Sequence, residues 1–155
     1  MQKVTIEDVD SRMSAADVRR GLSDGLGSTD LAINYYELAP GDSFAFGYHA
    51  HVRQEEVFYI QSGSVTFETE TGDVAVEDGE IVRFAPGEFQ CGVNEGDERV
   101  VALALGAPQD SELDEMRRDC KECGEQTPNT LEMADRGEEL VTYCLDCGAE
   151  TGRFD

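Results

Sequence analysis

The chain has only two histidines, and only two of its twelve basic residues are lysine, Lys3 and Lys121. Each scarcity removes a class of function. Non-specific nucleic-acid binding needs clustered Lys and Arg against the phosphate backbone, so nucleic acid is not an expected partner. Both histidines, His49 and His51, lie in one short segment, and no third is left for a Ser-His-Asp arrangement. No apolar run approaches the ~20 residues of a membrane helix, so no membrane association is expected. The N-terminal "MQKVTIEDVDSRM" is acidic and has no apolar h-region, unlike a secretion signal. Glycines near residue 25 lack the strand-then-helix context of a phosphate loop.

Acid is what the chain has in excess. Thirty-four Asp and Glu face the twelve basic residues, for a formal net charge of -22. The acids are spread along the whole chain, which fits either a binder of cations or basic partners, or a salt-adapted cytosolic protein of the halophilic archaeal type. Uniform spread, scarce lysine and a preference for arginine favour salt adaptation, because the Debye length falls to ~3 Å at 1 M salt and screens such repulsion. Most of this charge then concerns solvent rather than substrate. At 155 residues and 39% hydrophobic content, the chain can form one ordinary core with a small satellite module.

Four of the five cysteines form two CxxC pairs, "CKECG" (Cys120, Cys123) and "CLDCG" (Cys144, Cys147), with twenty residues between them. Two intervening residues let one turn present both sulfurs to a single ion, and the following Gly124 or Gly148 permits the tight backbone. Four thiolates at ~2.3 Å close a tetrahedral zinc shell with no open position, the arrangement of a structural site. A redox dithiol or a pair of disulfides is the weaker reading of such a matched pair, and a cytoplasmic location is expected. Residues 118–155 resemble a zinc ribbon, with "ELVTYC" and "ETGRF" as its strands. The resemblance implies a stabilising appendage or a contact with a protein partner.

Turn signals divide the rest. Residues 1–29 are mixed, with Ser14 as a candidate N-cap for a short helix over "SAADVRRGL". Residues 30–106 hold seven or eight short strands at roughly 8–12-residue spacing, the pattern of an all-β sandwich or barrel. Residues 107–117 read as a linker or a short helix.

Within the β region, "YHAHVRQEEVFYIQSG" places His49 and His51 on one face of a strand. Glu56 opens the next strand, where its carboxylate can meet them; Glu55 has the other parity. Two imidazoles and a carboxylate leave coordination positions open. This pattern resembles the cupin superfamily. Gly41, His49, His51, Glu56 and Gly63 follow its first motif, with four residues from His51 to Glu56 and six from Glu56 to Gly63. Gly79, Pro86 and Asn94 of "GEIVRFAPGEFQCGVN" follow its second. There are two departures: seven residues separate Gly41 from His49 where five is usual, and Gln90 stands where the family has its third histidine.

The resemblance implies a jelly-roll barrel with a divalent metal, Fe(II), Mn(II) or Zn(II), on its inner face. Three arrangements follow: an ion on His49, His51, Glu56 and Gln90; an ion on the first three with waters; or a metal-free barrel that holds a small molecule by hydrogen bonds. A metal-dependent oxygenase or isomerase and a non-catalytic, ligand-binding or regulatory cupin are both open, and a homodimer is implied. Cys91 points away from Gln90 and reads as a small buried hydrophobe. Tyr36 and Arg83 would add polar contacts to the pocket if their strands turn those side chains inward.

Overall fold

The structure, a computed structural model, describes residues 1–110, 113–134 and 137–155. After one 3-10 turn at Ile6–Asp8, the chain forms β1 (Val18–Gly21), a single-turn helix α1 (Ser23–Leu26), β2 (Ala32–Leu38), β3 (Tyr48–His51), β4 (Glu55–Ser62) and β5 (Ser64–Thr69). There follow β6 (Val74–Glu77), β7 (Ile81–Phe84), β8 (Gln90–Val93), β9 (Val100–Ala107) and β10 (Leu113–Cys120). The ribbon adds β11 (Glu125–Met133), β12 (Leu140–Cys144) and β13 (Glu150–Phe154). Five strands form one sheet in the order β1-β2-β9-β4-β7. Eight form the other, β13-β12-β11-β10-β3-β8-β5-β6. The architecture is all-β, as the strand pattern implies.

The two inner faces enclose an aromatic core. Phe44, Phe58, Phe67 and Phe84 pack with neighbouring ring centroids 4.8–5.2 Å apart, over Leu38, Ile60, Val65 and Val100. Each such side chain, fully buried, contributes ~1.5–3 kcal/mol relative to exposure. At the β4–β5 turn Gly63 has φ +83, and an added Cβ would lie 3.0–3.1 Å from Val100 and the Arg99 carbonyl. Only glycine meets both conditions at that turn.

A gradient of side-chain size opens the barrel at one end. The inward residues of β9 run Val100, Ala102, Ala104, Gly106, in the alternation of a strand with one face buried. Bulk therefore falls toward Gly106, which lies opposite both Glu56 of β4 and Ala32 of β2. The large rings fill one end, and the end that carries Glu56 stays hollow.

Two elements differ from their sequence reading. The expected helix over residues 14–21 is not formed. Ser14 Oγ instead accepts the Ala16 N–H at 3.1 Å, a local turn, and Val18–Gly21 is β1, paired from Val18↔Glu37 to Gly21↔Asn34. An eight-residue helix is marginal alone, whereas the edge of β2 offers a ready ladder. The expected linker or short helix at 107–117 is likewise replaced where it is described. Residues 111 and 112 lie outside the described residues, but from Leu113 the chain is β10, which pairs with β3 on one side and β11 on the other. The free edge of β3 recruits it despite its acidic sequence, as tertiary context overrides local propensity. Within the ribbon, β12 and β13 fall on the expected "ELVTYC" and "ETGRF", and β11 is an additional strand.

Candidate functional site

The hollow end gathers its polar groups from both sheets. His49 in β3 lies directly opposite Gln90 in β8, and His51 shares the face of His49. Glu56 reaches them from β4 in the facing sheet. One ligand atom from each of His49, His51 and Glu56 lies within 4.8 Å of the others. His51 Nε2 is 3.3 Å from Glu56 Oε1, and His49 Nε2 is 3.9 Å from Glu56 Oε2.

The buried His49 has a defined tautomer. Its Nδ1 lies 2.9 Å from the Gly47 carbonyl, which can only accept, so Nδ1 carries the proton and Nε2 turns a lone pair to the centre. Burial lowers the pKa of His49, ahead of the opposing effects of the Gly47 carbonyl and Glu56, so the ring is held neutral, the form that binds a metal. Gln90 is almost fully buried. Its Nε2 donates to Glu56 Oε2 at 2.9 Å and lies 3.5 Å from His49 Nε2, while its Oε1 is buried without a hydrogen-bond partner.

That orphaned oxygen bears on whether a cation fits. A buried acceptor left unmet costs ~1–3 kcal/mol. Rotation of the amide would exchange the two atoms and turn Oε1 toward the Glu56 carboxylate, an arrangement that a cation between them favours and that repels without one. Two imidazole nitrogens, a carboxylate oxygen and an amide oxygen suit a divalent first-row ion. The residues therefore fit a metal.

Beside this group lies a cavity of about 330 Å³. Its remaining wall includes Arg19, Asn34, Tyr36, Gln54 and Gln109, with Phe44, Phe58 and Ala104 as apolar lining. Burial raises the pKa of Tyr36, so its phenol stays protonated. Gln54 is fixed by donation from Nε2 to the Pro108 carbonyl at 2.7 Å.

The four ribbon cysteines form the second cluster that could hold an ion, again with ligand atoms within 4.8 Å of one another. Cys120 ends β10 and Cys144 ends β12. The two knuckles match. Gly124 N–H donates to Cys120 O at 2.8 Å and Gly148 N–H to Cys144 O at 2.9 Å, both glycines having positive φ. Thr127 donates its hydroxyl to Cys144 Sγ at 3.1 Å, which draws that thiol's pKa down to about 6 and favours the thiolate a metal requires. The ribbon packs on the barrel through Arg118, which donates to the Phe46 carbonyl and lies 5.2 Å from the centre of the Phe154 ring.

Residues 34–106 match the family model described as the cupin domain. The barrel has the cupin fold. Solved structures extend the likeness over almost the whole chain. A sugar phosphate isomerase of the cupin superfamily from Silicibacter pomeroyi is 20% identical with a TM-score of 0.62, over 96% of this chain and 91% of that one. A putative sugar phosphate isomerase from Acidithiobacillus ferrooxidans is 21% identical with a TM-score of 0.61, over 94% and 93%. A polyketide cyclase from Streptomyces resistomycificus is 23% identical with a TM-score of 0.61, over 73% and 83%. At these identities the likeness is one of fold. No functionally curated protein matches the sequence.

In the cupin barrel, His49, His51, Glu56 and Gln90 come together as the motif spacing implies, and Tyr36 lines the cavity. Arg83 does not. It faces outward and pairs with Glu55 at 2.5 Å. Cys91 is buried away from the cavity, and burial pushes its thiol up to about 11. Arg19, Asn34, Gln54 and Gln109 carry no motif. Arg19 was legible only to a reader who placed Val18–Gly21 as a strand beside β2.

Proposed function

We propose that this cupin is a metal-dependent enzyme that isomerises a small polar molecule, with one divalent cation held by His49, His51, Glu56 and Gln90. One observation carries the proposal: the converging His49, His51 and Glu56 form one side of a cavity large enough for a small substrate. When bound there, a divalent cation supplies Lewis acidity to a substrate carbonyl or hydroxyl. The chain's own residues do the rest. Neutral His49 is aligned by Gly47, the rotated Gln90 amide would turn its oxygen toward the ion, and Tyr36 holds a proton at its phenolic oxygen inside the cavity. Isomerisation is redox-neutral and asks only for a polarised carbonyl and groups that move a proton. The two sugar phosphate isomerase structures, whose likeness spans barrel and ribbon together, support the reaction class.

The test is solvent exchange. Full-length protein loaded with Mn(II), Fe(II) or Zn(II) is incubated in deuterium oxide with a panel of small hydroxyaldehydes and hydroxyketones, and deuterium beside the carbonyl is followed by NMR. Metal-dependent incorporation that is lost in His49→Ala is expected. Oxygen consumption without incorporation would move the reaction to the oxygenase class.

A second reading, a non-catalytic or regulatory cupin whose ribbon contacts a protein partner, is favoured by a different feature. An apolar groove of about 310 Å³ runs between barrel and ribbon beside the exposed Leu145 and Leu131. Neither deuterium incorporation nor oxygen consumption, with a metal bound, would favour that reading.

A further inference from the structure

Among the described residues, three buried side-chain polar atoms lack a hydrogen-bond partner: Arg19 Nε, Gln90 Oε1 and Gln109 Oε1. All three residues line the same cavity. Orphaned polar atoms are rare inside proteins and costly, and three around one hollow describe the complement of what fills it. Gln90 Oε1 belongs with the metal group. The other two are unexplained by it. Arg19 offers a buried N–H donor on a positive charge, and Gln109 offers an acceptor.

The charge pattern sharpens the reading. Acids outnumber basic residues almost threefold, and Arg12, Arg83, Arg99, Arg117 and Arg153 each meet a carboxylate. No ion pair among the described residues involves Arg19. Its guanidinium lies near the Tyr36 phenolic oxygen instead, brought there by the cross-strand pairing Arg19↔Tyr36. Among the described residues, Glu56 is the one acid in the cavity wall, and it is engaged by Gln90 and His51. A cation facing a cavity without a protein counter-charge is a site for an anion, since a charged hydrogen bond to a planar oxyanion is roughly twice as strong as a neutral one.

We infer that the molecule the cavity takes is a small hydroxylated anion, with its oxyanion group against Arg19, a hydroxyl donating to Gln109, and its reactive end toward His49, His51 and Glu56. This rests on the proposed site but deepens it: Arg19 selects the substrate class and the metal group acts on it. A carboxylate or a phosphate ester offers the required oxyanion. Arg19, the single cation of this wall among the described residues, is better matched to the monoanionic carboxylate.

Binding tests this without turnover. Gluconate, malate and lactate, glycerol 3-phosphate, and the uncharged glucose and glycerol are titrated by calorimetry and thermal shift into full-length protein. Both metal-free and metal-loaded forms are used. At least one carboxylate or the phosphate ester is expected to bind, with the neutral polyols inert. Arg19→Gln should weaken that binding at least about tenfold, while Arg53→Gln at an exposed arginine leaves it unchanged. Circular dichroism confirms that each variant is folded, and Arg19→Lys, which keeps the charge, should restore part of the affinity if Arg19→Gln loses it. A stronger response to phosphate than to carboxylate would assign the oxyanion to phosphate and keep the role of Arg19. Anions that bind Arg19→Gln as well as wild type, polyols that bind as tightly as anions, or no binding by any anion would overturn the inference. Anion binding by protein whose barrel takes up no metal even on loading would sink only the metal reading. A barrel metal without anion binding would sink only this one.

Discussion

Burial governs the chemistry of His49. Because the fold lowers its pKa below the ~6.5 of an unfolded histidine, the unfolded chain takes up a proton first on acidification. The contribution to stability is therefore fully present above pH ~6.5 and is lost as pH falls toward the folded value. Urea unfolding of the metal-free protein between pH ~8 and ~5 should show stability falling with acid, with a shallower fall in His49→Asn. Equal slopes would mean that His49 is not held neutral by its surroundings. At this scale the site was largely legible. His49 and His51 share a strand face because side chains alternate with period two, and Glu56 is the member of the Glu55–Glu56 pair with the matching parity. Gln90 could be placed through the second motif, but not its orphaned oxygen, since hydrogen-bond satisfaction depends on neighbours from another sheet.

Elements join the two metal-type clusters into one device. Strand β10 pairs Met116 with His49 and Leu113 with His51, then ends at Cys120. A metal on the ribbon cysteines would clamp the end of the strand that supports the histidines. Removing it with a chelator, or by Cys144→Ser, should raise amide exchange at residues 48–51 and in β10, while the central strand β9 stays protected. Unchanged exchange at 48–51 would separate the ribbon from the barrel. This coupling was not readable in sequence. The stretch before Cys120 is acidic and looks like a connector, and only the exposed ladder edge of β3 makes it a strand. Arg19 was hidden for the same reason. "SAADVRRGL" has a helical composition, and its strand exists because β2 needs an edge partner. The central strands could be read because their alternation and turn residues are local; the edge strands could not, because they answer to neighbours distant in sequence.

The molecule as a whole carries far more charge than its ion pairs offset. The exposed pairs, such as Arg12–Asp24 and Arg153–Glu139, are screened by solvent and add little, whereas a net charge of -22 repels throughout the surface. Potassium chloride between ~0.2 M and ~2 M should raise the melting temperature as screening shortens the range of that repulsion. A melting temperature that falls or does not move with salt would show that the acids are arranged in compensating networks instead. The same account sets the cavity apart, because Arg19 faces inward from a surface that repels anions.

The central claim, one ion in the barrel distinct from one in the ribbon, is tested most directly by counting metals. Full-length protein and His49→Ala/His51→Ala are reconstituted anaerobically with Fe(II), Mn(II) or Zn(II) in high salt, and metal per chain is measured. The account predicts about two ions in the wild type and about one in the variant. About one ion in both would contradict it, leaving metal only on the ribbon cysteines.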